Sequence, residues 1–536
     1  MRLLASLFLL TTGLVAAQQP QIPLSHEKHT TEPHRIAIIG GGAGGASTAY
    51  HLKQFAEASE YDVPLDITLF EKESRIGGRT TTVNALNDSA FPVELGGSIF
   101  VKINHILYNA TRDFGLDIKS RAFESRPDSD YDLGVWDGKQ FVFKQSSSDG
   151  RWQGYWDIAK LLWKYGLAPI RTRNLVSTVI GKFLRFYEEP LFPFSSLQGV
   201  IEEAELLEHL SVSGKEMLDA YGAGGAFGND IVQASTRVNY AQNLDQIHGL
   251  ETLVCMSTDG AMAVEGGNWQ IFDEAVKRSG AKARLNTTVL EVRKDTAGSN
   301  PTYSLTLSNG SSSGPYDAVV LAAPYQFANI SFEPALTHKP FPVDYVSLHV
   351  TLFTSPHVLS PTFFDLPADS PASVPSTILT TLQTSSDATA GESLTFYSIS
   401  SLRTLHPSQS HHANVTSPQH LYKIFSSAPL KASFLSRLLS FPHTSPVYEV
   451  DEDPISAISH SDISWSLEKV WHSYPYEVPR TEFEHIRLDG EEVGHGRGVW
   501  YTSGIESFIS TMETSALMGK NVAALIVQEL ADGFEY

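Results

Sequence analysis

Residues 36–45 read Ile36-Ala37-Ile38-Ile39-Gly40-Gly41-Gly42-Ala43-Gly44-Gly45. Four apolar residues run straight into the pattern Gly40-x-Gly42-x-x-Gly45. A helical run follows from Ala46 to Phe55, and a second apolar strand at 67–71 closes on Leu69-Phe70-Glu71. This order predicts a βαβ unit with a dinucleotide-binding fingerprint in its first turn. Gly40 permits the tight turn, Gly42 lets the backbone approach a pyrophosphate, and Gly45 lets helix and strand pack closely. Gly44 belongs to the same turn and is a candidate with them. The helix N-terminus offers unpaired N–H groups and a positive dipole end to phosphate. Glu71 ends the second strand where a carboxylate accepts ribose hydroxyls. It stands somewhat further along than the usual ~20 residues, because the polar stretch 57–64 lengthens the connection.

The next residues favour FAD over NAD. Lys72 leads into Arg75-Ile76-Gly77-Gly78-Arg79-Thr80, a second close approach of backbone to phosphate with a cation beside it. Val93-Glu94-Leu95-Gly96-Gly97-Ser98 is a third small-residue approach, suited to a flat ring. At the far end, Gly498-Val499-Trp500-Tyr501-Thr502-Ser503-Gly504-Ile505-Glu506 reads as a strand ending in a glycine turn. A long apolar helix follows, from about Thr511 to Leu530. Its N-terminus, with Glu513 and Thr514, is placed to stabilise negative charge on a reduced isoalloxazine. The candidate cofactor residues are therefore Gly40, Gly42, Gly44, Gly45, Glu71, Lys72, Gly78, Arg79, Gly96, Gly97, Ser98, Gly504, Glu513 and Thr514.

This pairing of N- and C-terminal segments resembles the glutathione-reductase-type flavoproteins, in the branch of amine oxidases and phytoene desaturases. The resemblance implies a backbone contact from Val289, in Asn286-Thr287-Thr288-Val289, to the adenine. It also implies that 316–324 returns as a strand beside the cofactor. The expected fold class is α/β: a Rossmann-like FAD-binding domain with a discontinuous, mixed α+β substrate domain. Segments 35–105, 256–330 and 486–536 would form the first domain. Segments 106–255 (helical) and 331–485 (sheet) would form the second.

At 536 residues the length suggests about three to four domain-sized units. A formal net charge of −21 argues against nucleic acid as a partner, since phosphates need Lys and Arg. Residues 1–17 read as a secretory signal peptide: a short positive start, an apolar run from Leu3 to Val15, then small residues at the cleavage positions. That run is too short for a comfortable membrane span. Six Asn-x-Ser/Thr sequons follow, at Asn87, Asn109, Asn286, Asn309, Asn329 and Asn414. The one cysteine, Cys255, allows no intrachain disulfide and no Cys-x-x-Cys relay. Its apolar neighbours make it a small buried residue.

Between the flavin segments, 151–220 reads as helices rich in aromatics, including Trp152, Tyr155, Trp156, Trp163, Tyr165, Phe183, Phe186 and Tyr187, mostly as core. Residues 221–228 form a glycine-rich bend with no preceding apolar strand, so they are not a second dinucleotide site. Residues 345–355 and 394–400 alternate as strands, and 356–391 and 405–419 read as loops. His406, His411 and His412 lie in a polar loop without a nearby carboxylate, and no metal site is expected.

The segments 36–45, 71–80, Arg237-Val238-Asn239-Tyr240-Ala241-Gln242, Ala263-Val264-Glu265-Gly266-Gly267-Asn268 and 501–522 together resemble the prenylcysteine oxidase (prenylcysteine lyase) family. The Arg237–Gln242 and Ala263–Asn268 runs are not shared with amine oxidases in general. The resemblance implies an FAD-dependent thioether oxidase acting on S-farnesyl- or S-geranylgeranyl-cysteine. Oxidation at the allylic carbon on sulfur, followed by addition of water, yields a prenyl aldehyde and free cysteine. Reoxidation by O2 gives hydrogen peroxide. Such chemistry needs positioning and exclusion of water rather than a protein nucleophile, and no catalytic side chain is assigned. Arg237 is open to two readings, a hold on the substrate carboxylate or an ion pair. Glu265 is likewise open between the substrate ammonium and a cap on the helix from Trp269, and the cap is favoured. The rival functions are an amine or polyamine oxidase on the same scaffold, and a secreted flavin- or lipid-binding protein without turnover. The setting expected is the secretory pathway, ending in a lysosome, a vacuole or the extracellular space. Peripheral membrane association and the oligomeric state are left open.

Overall fold

The computed structural model describes residues 32–532, apart from 62, 120–128, 148–159, 259, 299, 383–394, 411–416, 442–452 and 491–495. The expected signal peptide, the Asn414 sequon, Trp152, Tyr155, Trp156, His411 and His412 lie outside the described residues.

Strand β1 (His34–Ile39), helix α1 (Ala43–Ala58) and strand β2 (Leu65–Phe70) form the expected βαβ unit. They sit in a five-stranded parallel sheet. Its order is Gly498–Tyr501, Ala318–Leu321, β1, β2 and Lys282–Arg284. The strand expected within 316–324 is thus beside β1. The side chains of β1 alternate between two layers, as the two-residue period of a strand requires. Ile36 and Ile38 face a helical layer with Leu52, Val522 and Ile526. Ala37 and Ile39 face Val292, Tyr303, Leu305 and Tyr316. These last belong to a four-stranded sheet ordered Ser312–Tyr316, Thr302–Leu307, Val289–Asp295 and Ser331–Glu333. A parallel sheet covered on both faces explains the uninterrupted apolar run of β1.

The helical layer depends on missing side chains. A Cβ on Gly45 would lie 1.9 Å from the carbonyl oxygen of Gly40, so α1 rests on the turn itself. A Cβ on Gly519, in the helix Met512–Asp532, would lie 2.2 Å from the Gly44 oxygen. Ser47 Oγ completes the crossing by donating to Ala516 O at 2.6 Å. The C-terminal helix is therefore locked to the glycine turn from which α1 starts.

A second, seven-stranded sheet runs Trp465–Pro475, Tyr345–Ser355, Gln419–Ser426, Phe396–Leu405, Thr377–Thr380, Tyr131–Trp136 and Phe141–Ser146. Two corrections to the sequence reading follow. Two of these strands come from 106–255, which was expected to be helical, and Thr377–Thr380 comes from 356–391, expected to be loop. Tyr131–Trp136 does alternate, with Tyr131, Leu133 and Val135 set against Asp132 and Gly134, a strand signal that the helical reading of 106–255 passed over. One face of the sheet packs on the helix Ala432–Leu439. The other carries Val346, Leu348, Val350 and Leu421 against Ala85, Phe91, Val93 and Leu95. That second contact ties the sheet to the chain leading into Gly96-Gly97-Ser98.

The aromatic run near 183 is core: Phe186 stacks on Phe508 at 5.5 Å between ring centroids, and both are fully buried. Trp163, read as core, is 93% exposed. Cys255 is buried, as read. The bend at 221–228 leads through a π-helical turn, Gly228–Val232, into the helix Gln233–Tyr240.

Gly519→Ala is expected to destabilise the chain by about 1–3 kcal/mol, the usual range for overpacking, because backbone stands where the methyl would go. A thermal melt monitored by circular dichroism checks this, with a lower midpoint than wild type as the expected outcome.

Candidate active site

The first glycine turn is held from below by Glu71. Its carboxylate is buried; Oε2 accepts from Gly41 N–H at 2.7 Å and Oε1 from Glu73 N–H at 2.8 Å. Gly40 has φ +111°, and a Cβ there would meet Ala322 O at 2.6 Å, so only glycine fits. The helix α1 starts at Gly42 with no side-chain cap and no acid in its first turn. Its terminal N–H groups are left for an outside acceptor.

The second turn lies directly over the first. Gly77 N–H donates to Gly41 O at 2.9 Å. A Cβ on Gly78 would lie 3.1 Å from Gly42 Cα. The third turn packs on the second: Gly97 N–H donates to Arg79 O at 3.1 Å, and a Cβ on Gly96 would lie 1.7 Å from that oxygen. Gly42, Gly78, Gly96 and Gly97 thus come together from three separate stretches. Thr287 N–H donates to Glu71 O and Asn286 N–H to Glu73 O, both at 2.9 Å. This brings the start of the Val289 strand to the Glu71 end, and Val289 itself is buried. Gly504 is buried in the turn Ser503–Ser507. The uncapped helix, the acid at the strand end and the side-chain-free turns fit an FAD diphosphate and its two flanking ring systems.

Four predicted residues stand differently from expectation. The Arg79 guanidinium is not left beside a phosphate: it donates to Glu506 Oε1 and to Ser473 O, both at 2.7 Å. Glu506 also accepts from Tyr345 O–H at 3.0 Å, so this pair clamps the second turn to the C-terminal segment. Lys72 is exposed. The Glu513 carboxylate turns away to the helix His105–Phe114, accepting from Ile106 N–H (2.8 Å), Leu107 N–H (3.0 Å) and Tyr187 O–H (2.9 Å). It fills the role of that helix's missing cap. Thr514 Oγ1 accepts from Thr511 N–H, and Thr511 Oγ1 accepts from Thr514 N–H, both at 3.0 Å. This reciprocal pair starts the C-terminal helix.

The Ala263–Asn268 run lies against the third turn. Asn268 is fully buried. Its N–H donates to Glu94 Oε1 at 2.6 Å, its Nδ2 to Gly97 O at 3.1 Å, and its Oδ1 accepts from Val264 N–H at 2.8 Å. Glu265 does not cap the following helix. It is more than half exposed and pairs with Lys119 at 3.0 Å.

A family model described as prenylcysteine lyase matches residues 148–535, and one described as an NAD(P)-binding Rossmann-like domain matches residues 38–114. The chain belongs to the prenylcysteine lyase family. Farnesylcysteine lyase of Arabidopsis thaliana is 26% identical, covering 92% of this chain and 88% of that protein. Prenylcysteine oxidase 1 of Mus musculus is 29% identical, covering 97% and 92%. Among solved structures, a putrescine oxidase superposes with a TM-score of 0.52 at 14% identity, covering 93% of this chain and 99% of that one. A cyclohexylamine oxidase from Brevibacterium oxydans gives 0.51 at 14% identity, covering 93% and 100%. At that identity the likeness shows the fold. Together the family and the fold bear out an FAD-dependent oxidoreductase.

Several residues of this prenylcysteine lyase site were not singled out in the sequence. Lys423, on the strand Gln419–Ser426, is almost wholly buried. It donates to Glu94 O at 2.8 Å and to Ser98 Oγ at 3.0 Å. A lysine in Leu421-Tyr422-Lys423-Ile424-Phe425 was the available signal. Lys423, Glu94, Ser98 and Gly267 border a cavity of about 90 Å³. Behind the C-terminal segment, His248, Glu251 and Glu477 are fully buried, with ligand atoms within 4.8 Å of one another. His248 Nδ1 accepts from Glu251 N–H at 3.1 Å, so the neutral ring carries its proton on Nε2. Nε2 stands 3.6 Å from Glu477 Oε2, beyond hydrogen-bond length, and its proton leaves no lone pair there for a metal.

Burial pushes the Glu94 carboxyl up to about 7, against the Asn268 bond. It pushes Glu513 up to about 7 as well, and raises Glu251 and Glu477. Each of these acids keeps its proton in the folded chain where the unfolded chain, at about 4.5, has lost it. Stability therefore falls as pH rises from about 4.5 through 7. His51 and His248, pushed down by burial to about 4 and about 3, act oppositely below about 6.5. Burial also raises Glu484 and lowers His34 and His209. The acids' window runs up to about 7, whereas the histidines' closes at about 6.5, so the thermal midpoint is expected to be higher at about pH 5 than at about pH 7.5. Scanning calorimetry at the two pH values checks this, and Glu94→Gln should shrink the difference.

Proposed function

We propose that this chain oxidises the thioether of an S-prenylcysteine, releasing free cysteine and a prenyl aldehyde, with O2 as the final acceptor. The observation that carries the reading beyond family membership is Arg237. It is 7% exposed and lies in the helix Gln233–Tyr240. Its Nε donates to Thr380 Oγ1 at 3.1 Å and Nη1 to Asn243 Oδ1 at 2.9 Å. The guanidinium lies over the Tyr397 ring, 5.0 Å from its centroid. All these partners are neutral, and among the described residues no carboxylate pairs with it. A buried cation without a counter-charge is expensive unless an anion completes it. The α-carboxylate of a cysteine conjugate is such an anion. A simple diamine would bring a second positive charge to the same place, which disfavours the amine-oxidase alternative.

In this reading FAD, when bound, supplies the two-electron acceptor. Arg237 holds the amino-acid end of the substrate. Asn268 fixes the Gly97 turn on which the reacting carbon must be aligned. No protein nucleophile is required.

The secretory setting is part of the same proposal, and the lysosome or vacuole suits it best. Asn87, Asn109, Asn286, Asn309 and Asn329 are all exposed and open to glycosylation. The buried carboxyls of the site are neutral, and least costly, in an acidic compartment.

Mixing the flavin-loaded protein with farnesylcysteine without oxygen should bleach the flavin absorbance, with recovery in air and aldehyde in the products. A flavin that bleaches with putrescine and not with farnesylcysteine would reverse the assignment. Arg237→Ala should raise KM roughly 10–100-fold with kcat less affected, as expected for loss of a charge-assisted contact. Arg237→Lys should recover part of the loss.

A further inference from the structure

Trp163 is 93% exposed, Leu167 60% and Ile170 45%. All three lie at one corner, where the helical residues 160–165 meet the helix Ala168–Leu184 across Gly166, whose φ is +60°. Tyr221, 47% exposed, is held at the same corner: Arg171 Nη1 donates to the neighbouring Gly222 O at 2.8 Å. An indole so fully in water is unusual for the surface of a soluble chain.

The charge around it is unusual as well. In a chain of net charge −21, residues 164–187 hold Lys164, Arg171, Arg173, Lys182 and Arg185 and no Asp or Glu, up to Glu188 and Glu189 at the far end of the helix. Asp230 offsets Lys164 at 2.8 Å, and Glu205 offsets Lys182 at 3.1 Å. Arg173 is exposed and stands three residues beyond Ile170 on the same helix. A Trp-Leu-Ile tip flanked by cations is the composition that settles into the headgroup region of an anionic bilayer. A protein partner of this chain's own acidic kind would match the charge but not the three apolar tips pointing into water. No helix among the described residues is long and apolar enough to cross a membrane, so the association is at the surface.

We propose that the corner built from Trp163, Leu167, Ile170 and Arg173 docks this protein on an anionic lipid bilayer. The docking stands on this surface alone. Its use, collecting a prenylated substrate from the bilayer in which the prenyl chain dissolves, rests on the function proposed above.

The test is co-sedimentation of the full flavin-loaded chain with vesicles of phosphatidylcholine alone or with about one-third phosphatidylserine, at low and moderate salt. Wild type is expected to bind the mixed vesicles and release them as salt rises. Trp163→Ser with Leu167→Ser should weaken binding roughly tenfold or more. Arg173→Gln should weaken it about fivefold, the factor set by ~1 kcal/mol per basic residue at such a surface. Neither change touches a buried group, so flavin content and the thermal midpoint should stay at wild-type values. Wild type that ignores phosphatidylserine vesicles, or variants that bind as wild type does, would overturn the proposal. So would a dimer in sedimentation equilibrium that Trp163→Ser dissolves, since the corner would then join two copies. Turnover of soluble cysteine conjugates should be unchanged in the variants. Vesicle binding without such turnover would leave the docking intact and defeat the functional reading instead.

Discussion

The approach of backbone to backbone around Gly42 constrains everything else in this molecule. Four glycine positions, Gly45, Gly78, Gly96 and Gly519, each put another chain segment where a Cβ would stand. Those segments come from the first turn, the second turn and α1. A flat cofactor with a central diphosphate needs such a floor, because side chains would hold it away from the N–H groups of α1. The fold is thus built inward from a surface that has almost no side chains. The side chains that brace it, Glu71, Asn268 and Glu506, all act from outside the turns.

Those braces are polar and buried, which gives the site its electrostatic character. Arg79 with Glu506, Lys423 with the Glu94 backbone, and Asn268 with Gly97 each tie a loop to a different layer. Groups of this kind lose more when a partner is removed than they contribute when paired. They therefore fix one arrangement of the three turns rather than add greatly to stability. The seven-stranded sheet joins in through Lys423 and Ser98, so a shift of that sheet is felt at the third turn.

Much of the cofactor half was legible because its signals are local. Gly40 to Glu71 is one continuous βαβ stretch, and each residue's role follows from its distance to a strand or helix end. The braces were not legible, because their partners lie far away in sequence: Arg79 and Glu506, or Asn268 and Gly97, carry no shared pattern. Glu513 shows the same limit. An acid in the first turn of a helix reads as a dipole partner for its own helix or a ligand, yet it serves the helix His105–Phe114. Tyr131–Trp136 was missed because its alternation spans only five residues and its place in the sheet is set by a partner strand near residue 378. Trp163 was misread because aromatic density implies core only when something covers it.

The placement of positive charge separates this chain from a generic flavin scaffold of the same fold. A fold shared with amine oxidases does not decide the substrate. An acidic chain repels anions at long range, so a cation held without a counter-charge marks a position where a particular anion is received. Arg237 is such a position inside the molecule. The corner at Trp163 presents positive charge differently, on the surface, where Arg173 accompanies apolar side chains in water. A molecule with a carboxylate in its head group and a long hydrocarbon chain joins these two demands. Its carboxylate answers the buried arginine, and its hydrocarbon places it in the bilayer that the corner is suited to meet. The two sites were recognised from separate observations, yet both are suited to the same amphiphile.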